Sequence, residues 1–321
     1  MKSLILGVTA STMAAGAMAL DLTGATAWFN SAPLATSSLR GKVVLVDIWT
    51  YSCINSLRQL PYIQAWAAKY KDAGLIVIGV HTPEFSFEHD KANVAWALRH
   101  YTVVHPVPMD NDYAIWQSLN NEYWPADYLL DGKGHVRYHH FGEGSYAETE
   151  HQIQQLLREN GVTHVPTDTV HPVGEGIEAP PSSSQETQET YVGSRRAERG
   201  VSPLPASLPL DHWSLVGPWT VTPERAVLQT APGAIVLRFH ARDLHLVLTP
   251  SQPGHPIRFK VTLDGAPPGP SHGVDISPDG TGTLTDPRLY QLIRQPGPIA
   301  DHTFRIDFLD PGAAAYSFTF G

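Results

Sequence analysis

The chain has a single cysteine, Cys53, among its 321 residues. That excludes an internal disulfide framework and a multi-thiolate metal site. Positive charge is also scarce. Its 22 Lys and Arg stand against 31 Asp and Glu, a formal net charge of -9, and no basic run occurs. This balance argues against nucleic acid or an anionic membrane surface as a partner. Past the N-terminus no stretch reaches the ~18 apolar residues of a membrane-spanning helix, and no internal repeat is evident. With 42% hydrophobic residues the chain is long enough for two domains, each with its own core.

The first nineteen residues differ in character from the rest. Lys2 precedes an uncharged, Ala-rich stretch, and Ala17-Met18-Ala19 has the small-x-small pattern of a cleavage site. Residues 1–19 read as a signal peptide. Export, periplasmic or otherwise, would place Cys53 in an oxidising compartment.

From 20 to 162 strand and helix patterns alternate. Apolar runs at 42–49 and 74–81 flank a helical pattern at 54–71 that spaces Leu57, Leu60, Ile63, Trp66 and Ala67 along one face. Strand, helix, strand of these lengths is a βαβ crossover and predicts a parallel pair. Further helices are expected at 89–100, 113–119 and 147–160. A hairpin is expected around Asp131-Gly132-Lys133-Gly134. Residues 163–204 are Pro/Ser-rich and predict a linker, with an ordered island at 191–198. From 205 to 321 helical periodicity gives way to short strand patterns separated by turns such as Pro232-Gly233 and Asp264-Gly265. That pattern predicts an antiparallel β-sandwich.

The spacing around Cys53 singles it out. A β-branched strand (43–48) runs through Trp49-Thr50-Tyr51-Ser52 to a cysteine placed where a helix should start. Unpaired amides and the macrodipole at that end favour a thiolate. The histidines do not make a metal site. In a strand His139 and His140 would face opposite ways, and no thiolate or carboxylate cluster supports His135. No metal and no cofactor are expected.

Trp49-Thr50-Tyr51-Ser52-Cys53-Ile54-Asn55-Ser56 resembles the active-site turn of thioredoxin-fold proteins of the TlpA/redoxin-like branch. It is most similar to the W-T-Y-x-C-I-N-C motif of DipZ-type proteins. Asp47 six residues before Cys53, Pro61 five after Ser56, and Trp124-Pro125 match that family's buried carboxylate, helix proline and cis-proline. The stretches LPASLPLDHW (204–213), FHARDLHLVL (239–248), VTLDGAPPG (261–269) and LYQLIR (289–294) resemble its C-terminal sandwich. The multi-span electron-importing domain of full DipZ proteins has no counterpart in these residues.

The resemblance implies an α/β thioredoxin-like fold followed by an all-β jelly-roll or galactose-binding-like sandwich. It implies thiol–disulfide exchange on protein thiols and disulfides, with Cys53 as nucleophile and Asp47 and cis-Pro125 in support. Trp49, Tyr51 and Trp124 would form an apolar rim for substrate. Ser56 replaces the second cysteine, so a mixed disulfide on Cys53 needs an outside thiol reductant or a membrane electron donor to resolve it. Two other functions compete with this one. One is a redox-inactive scaffold whose sandwich binds a glycan through Trp213, Trp219 and Tyr290, or binds a protein. The other is a single-cysteine peroxide reductase using Arg58.

Overall fold

A computed structural model describes residues 19–174 and 187–321. The expected signal peptide therefore lies almost wholly outside the described residues. The first half contains β1 (Ala27–Phe29), β2 (Val43–Trp49), α1 (Ile54–Lys69), β3 (Leu75–His81), α2 (Lys91–His100), β4 (Val107–Met109), α3 (Ala114–Ser118), β5 (Ala126–Leu130), β6 (Val136–Phe141) and α4 (Tyr146–Glu159). Its six strands form one sheet in the order β1-β4-β3-β2-β5-β6. β2 pairs with β3 in parallel and with β5 antiparallel.

β2 lies near the middle of that sheet, and all seven of its residues are buried. Alternation along the strand divides them between two faces. Val44, Val46 and Ile48 pack into one core with Ile78, Val80 and Tyr128. Val43 and Leu45 join Ile63 and Trp66 of α1 and Ile153, Leu156 and Leu157 of α4 on the other. Asp47, two residues beyond Leu45, shares the α1 face. β1 and β4 were not expected from the sequence. Each has three residues, too few for a period to register, and β4 contains Pro108.

The second half is all-β. It contains β7 (Thr190–Tyr191), β8 (Trp213–Val216), β9 (Trp219–Val221), β10 (Ala226–Leu228), β11 (Gly233–His240), β12 (Asp243–Pro250), β13 (Ile257–Leu263), β14 (Thr281–Leu284), β15 (Arg288–Arg294), β16 (Asp301–Phe308) and β17 (Ala313–Phe320). One antiparallel sheet runs β15-β12-β17-β10-β9 and the other β14-β13-β16-β11-β8. Phe239, Phe259, Phe304 and Phe308 from the second sheet share a core with Leu244, Leu246, Tyr290, Phe318 and Phe320 from the first.

One expectation is extended here and one is corrected. The ordered island expected at 191–198 is present and extends over the C-terminal part of the expected linker, since β7 pairs with β17, Thr187 and Val192 are fully buried, and Val201 N–H donates to the Trp213 carbonyl. Residues 175–186, with the Ser-rich centre of the expected linker, lie outside the described residues. Trp213, Trp219 and Tyr290 do not form an exposed platform for a sugar. Tyr290 is fully buried, its hydroxyl bound to the backbone of Thr285 and Asp286. Trp213 is 6% exposed and donates to the Glu198 carbonyl, and Trp219 packs edge-on to Phe308. The aromatic area that suggested ligand stacking belongs to the core.

The two halves meet along a shared apolar layer. Ile54 and Leu57 from the first turns of α1, with Phe85, pack against Val247, Leu289, Ala314 and Tyr316 of the second domain.

Candidate active site

Cys53 is the N-cap residue of α1 and keeps extended backbone angles (φ -97°, ψ 121°). Its carbonyl accepts the first helical hydrogen bond, from Leu57 N–H at 3.1 Å. The helix start thus falls where the sequence placed it. The side chain is half-buried at the junction of the domains. Burial pushes the thiol up to about 12, and the carboxylates of Glu189 and Glu84 add to the rise. The backbone amides of Ser56 and Asn55 oppose it. The activated thiolate expected from the helix terminus is therefore corrected in this closed arrangement. Removal of the sulfur from water outweighs the two amides.

Ser56 is 2% exposed, and its Oγ accepts from the Thr50 N–H at 3.4 Å. It ties the helix back to the turn. The Trp124–Pro125 bond is cis, and the Pro125 carbonyl accepts from Gly142 N–H at 2.8 Å.

The expected rim of three aromatics is only partly present. Trp49 and Tyr51 are fully buried, packing with Leu60, Val94, Leu98 and Met109. Tyr51 stacks on His81 at 5.5 Å, and Trp49 meets the same ring edge-on at 5.6 Å. They form the floor of the turn and offer nothing to a substrate. Trp124 alone keeps an exposed portion. It donates to the Thr82 carbonyl at 3.0 Å and packs on Trp116.

Asp47 has a partner that the sequence reading did not identify. Asp47 and Asp127 face each other across the β2–β5 pair, both 2% exposed. Gln59 Nε2 donates to Oδ1 of each carboxyl, at 3.1 Å in both cases. Burial pushes both carboxyls up, and the neighbouring Asp47 charge raises Asp127 further. Two carboxyls sharing one amide in a dry site disfavour two adjacent negative charges, which is the direction of both shifts. A lone acid in an apolar strand was the signal for Asp47. Asp127, two residues after Pro125, carried the same signal.

Glu88 was also missed. It is fully buried and accepts from Thr50 Oγ1, from Ser52 Oγ at 2.6 Å, and from the Glu84 and Phe85 amides at 2.6 and 2.9 Å. Burial raises its carboxyl to about 7, against the hydrogen bonds from Ser52, Thr50 and Phe85. Its partners lie up to 38 positions away in sequence, and no local pattern marks it.

Arg58 is fully committed elsewhere. Its guanidinium pairs with Glu143 at 3.1 Å and Asp243 at 3.0 Å, all three side chains buried. This takes away the arginine that the peroxide reading required beside the thiol.

A central β2 leading through a buried turn to an N-cap cysteine, with a cis-proline before β5, defines a thioredoxin-like α/β domain. It is followed here by an all-β domain, and the family model described as "Thioredoxin like C-terminal domain" matches residues 187–321. The chain is similar to DipZ-type proteins over most of its length and, in its thioredoxin-like half, to thiol–disulfide oxidoreductases. Protein DipZ of Mycobacterium bovis (strain ATCC BAA-935 / AF2122/97) and of Mycobacterium tuberculosis (strain CDC 1551 / Oshkosh) is 38% identical over 264 residues, covering 77% of this chain and 36% of DipZ. The chain thus spans about a third of the length of these curated relatives. Thiol-disulfide oxidoreductase YkuV of Bacillus subtilis (strain 168) is 27% identical over 139 residues, 43% of this chain and 93% of YkuV. A solved thioredoxin-like protein in the oxidized form is 27% identical, covering 44% of this chain and 97% of its own, with a TM-score of 0.40. Among the described residues no helix is long and apolar enough to cross a membrane.

Proposed function

We propose that this chain is an exported thiol–disulfide oxidoreductase that works through one cysteine, Cys53, on protein thiols and disulfides. The observation that carries this reading is the position of Cys53, half-buried as the N-cap residue of α1. The Cys53 thiolate attacks one sulfur of a substrate disulfide. A mixed disulfide forms and the other sulfur leaves as a thiolate that takes up a proton. Ser56 has no sulfur and cannot displace the bound substrate. An outside thiolate therefore attacks the mixed disulfide, restores Cys53, and leaves in a new disulfide with the substrate sulfur. Two electrons pass from the outside thiol to the substrate, or the reverse when the potentials are reversed.

In this reading cis-Pro125 and the exposed part of Trp124 line the edge where an extended substrate backbone pairs. Ser56, through Thr50, and the Asp47–Asp127 pair, through Gln59, hold the helix and its floor in place. The expected signal at residues 1–19 supports a periplasmic or otherwise exported location. The test is mass spectrometry of the intact protein after exposure to a small aromatic disulfide. A single mixed disulfide on Cys53, absent in Cys53→Ser and reversed by added thiol, is expected. A native protein that stays unmodified while the unfolded chain reacts would refute the reading.

A further inference from the structure

The loop from Thr82 to Glu88 touches both halves of the molecule. On one side, Glu88 gathers the turn that ends at Cys53. Its carboxylate accepts from Thr50 Oγ1 and, at 2.6 Å, from Ser52 Oγ. Its Oε2 accepts from the amides of Glu84 and Phe85 within its own loop. On the other side, the second domain grips the same loop. Glu84 Oε1 accepts from Tyr191 Oη at 2.8 Å and from Arg196 Nη1 at 2.9 Å. Glu224 accepts from Ser86 through N at 2.7 Å and Oγ at 2.5 Å. The rings of Phe85 and Phe87 pack against Tyr316 at 5.1 and 5.0 Å.

We propose that Glu88 is a positioning residue for Cys53, and that the second domain sets the exposure of the thiol through it. The inference rests on Cys53 being the reacting thiol. The connection runs from Glu224, Tyr191 and Arg196 to residues 84–86, through the Glu88 carboxylate to Ser52, and so to the next residue, Cys53. A fully buried carboxylate with four donors has one low-energy arrangement, so movement of the loop is passed to the turn rather than absorbed. While the second domain holds the loop, the sulfur stays half-buried beside Glu84 and Glu189. When the grip is released, water reaches it. The Glu84 carboxylate, Tyr51 and Tyr113 also face Glu88 through space, and none of these side chains supplies a hydrogen bond to its carboxylate among the described residues.

The test is the rate of Cys53 alkylation by iodoacetamide, in the full chain, as a function of pH. Glu88→Gln replaces one acceptor oxygen with a donor and breaks the joint at its centre. Glu224→Ala breaks it on the second domain, at the grip on Ser86. Each variant is expected to raise the rate at a fixed mildly alkaline pH by at least about threefold and to move the pH profile to lower pH. The double variant should react no faster than the faster single one, because the two act in series. If Glu88→Gln fails to fold, Thr50→Val with Ser52→Ala removes the same bonds from the other side.

Rates unchanged in Glu224→Ala while the protein still melts cooperatively would overturn the inference. So would effects that multiply in the double variant. Disulfide-exchange turnover on the same samples separates the two claims. Shifted alkylation without any turnover keeps the positioning role and removes the oxidoreductase reading. Turnover with unshifted alkylation does the opposite.

Discussion

Arg58 Nη2 lies 3.0 Å from Asp243 Oδ2, joining two residues 185 positions apart across the junction of the domains. Glu143 takes the other end of the same guanidinium at 3.1 Å, and Arg242 and Arg294 share Asp243. Burial pushes the Asp243 carboxyl up, yet the bonds from Arg294 and Arg242 hold it below the ordinary carboxylate value. Gly321 is fitted closely against this cluster, since a Cβ on it would lie 2.1 Å from Arg58 Nη2. Arg58 sits two residues past Ser56 on the helix that carries Cys53, so the ion pair fixes that helix to the second domain.

Removing one partner from such a cluster leaves buried charge uncompensated. Arg58→Met is expected to cost about 3–5 kcal/mol of unfolding free energy in urea. Arg258→Met, which breaks an exposed pair with Asp310, is expected to cost no more than about 1 kcal/mol. Equal losses in the two variants would count against a buried interdomain hub.

The Asp47–Asp127 pair makes stability depend on pH. Burial raises both carboxyls in the folded chain above their ordinary values. Their contribution is therefore complete in acid and is lost as pH rises through the raised folded values. His81 and His105 act in the opposite sense, because burial lowers them to about 3 and about 4, so they oppose folding only in acid. Asp127→Asn isolates the first effect. Its melting temperature should gain on that of the parent steadily from about pH 4 to beyond neutrality, and the gap should then level off. A gap independent of pH would mean that burial does not raise these carboxyls in the folded chain.

Much of this could be read from the sequence, and the reasons it could not elsewhere are physical. β2, β3 and α1 announce themselves through long buried runs and a helical stripe, and Cys53 was correctly placed at a helix start. β7 was hidden because two residues have no period, and only pairing with β17 makes them a strand. Trp49 and Tyr51 were read as a rim because they flank the cysteine in sequence. Position along the strand and turn decides which side they face, and they face His81. Glu88 and Asp127 depend on partners brought from other elements. Arg58 is next to the site in sequence, but its partners are 85 and 185 positions away.

Restoring the missing sulfur tests how complete the rest of the site is. Ser56 is buried on the first turn of α1, three residues after Cys53. Ser56→Cys should form an internal disulfide and raise turnover of a disulfide substrate at least about tenfold at limiting outside thiol. The gain comes from making resolution intramolecular. An oxidised variant in which both thiols remain free to react with iodoacetamide would show a turn that cannot close the ring.

Tyr290 supports the assignment of the aromatics to the core. Tyr290→Phe leaves the Thr285 and Asp286 amides without their acceptor and should cost about 1–3 kcal/mol in chemical unfolding. A change below about 0.5 kcal/mol would indicate that the hydroxyl is dispensable.

The central claim is that Cys53 works alone and an outside thiol resolves it. The direct measurement is the rate at which a preformed mixed disulfide on Cys53 releases its partner as outside thiol is varied. The rate should rise in proportion to thiol concentration and fall to zero without it. Release at a finite rate with no thiol present would contradict the claim, because nothing at position 56 can displace the sulfur.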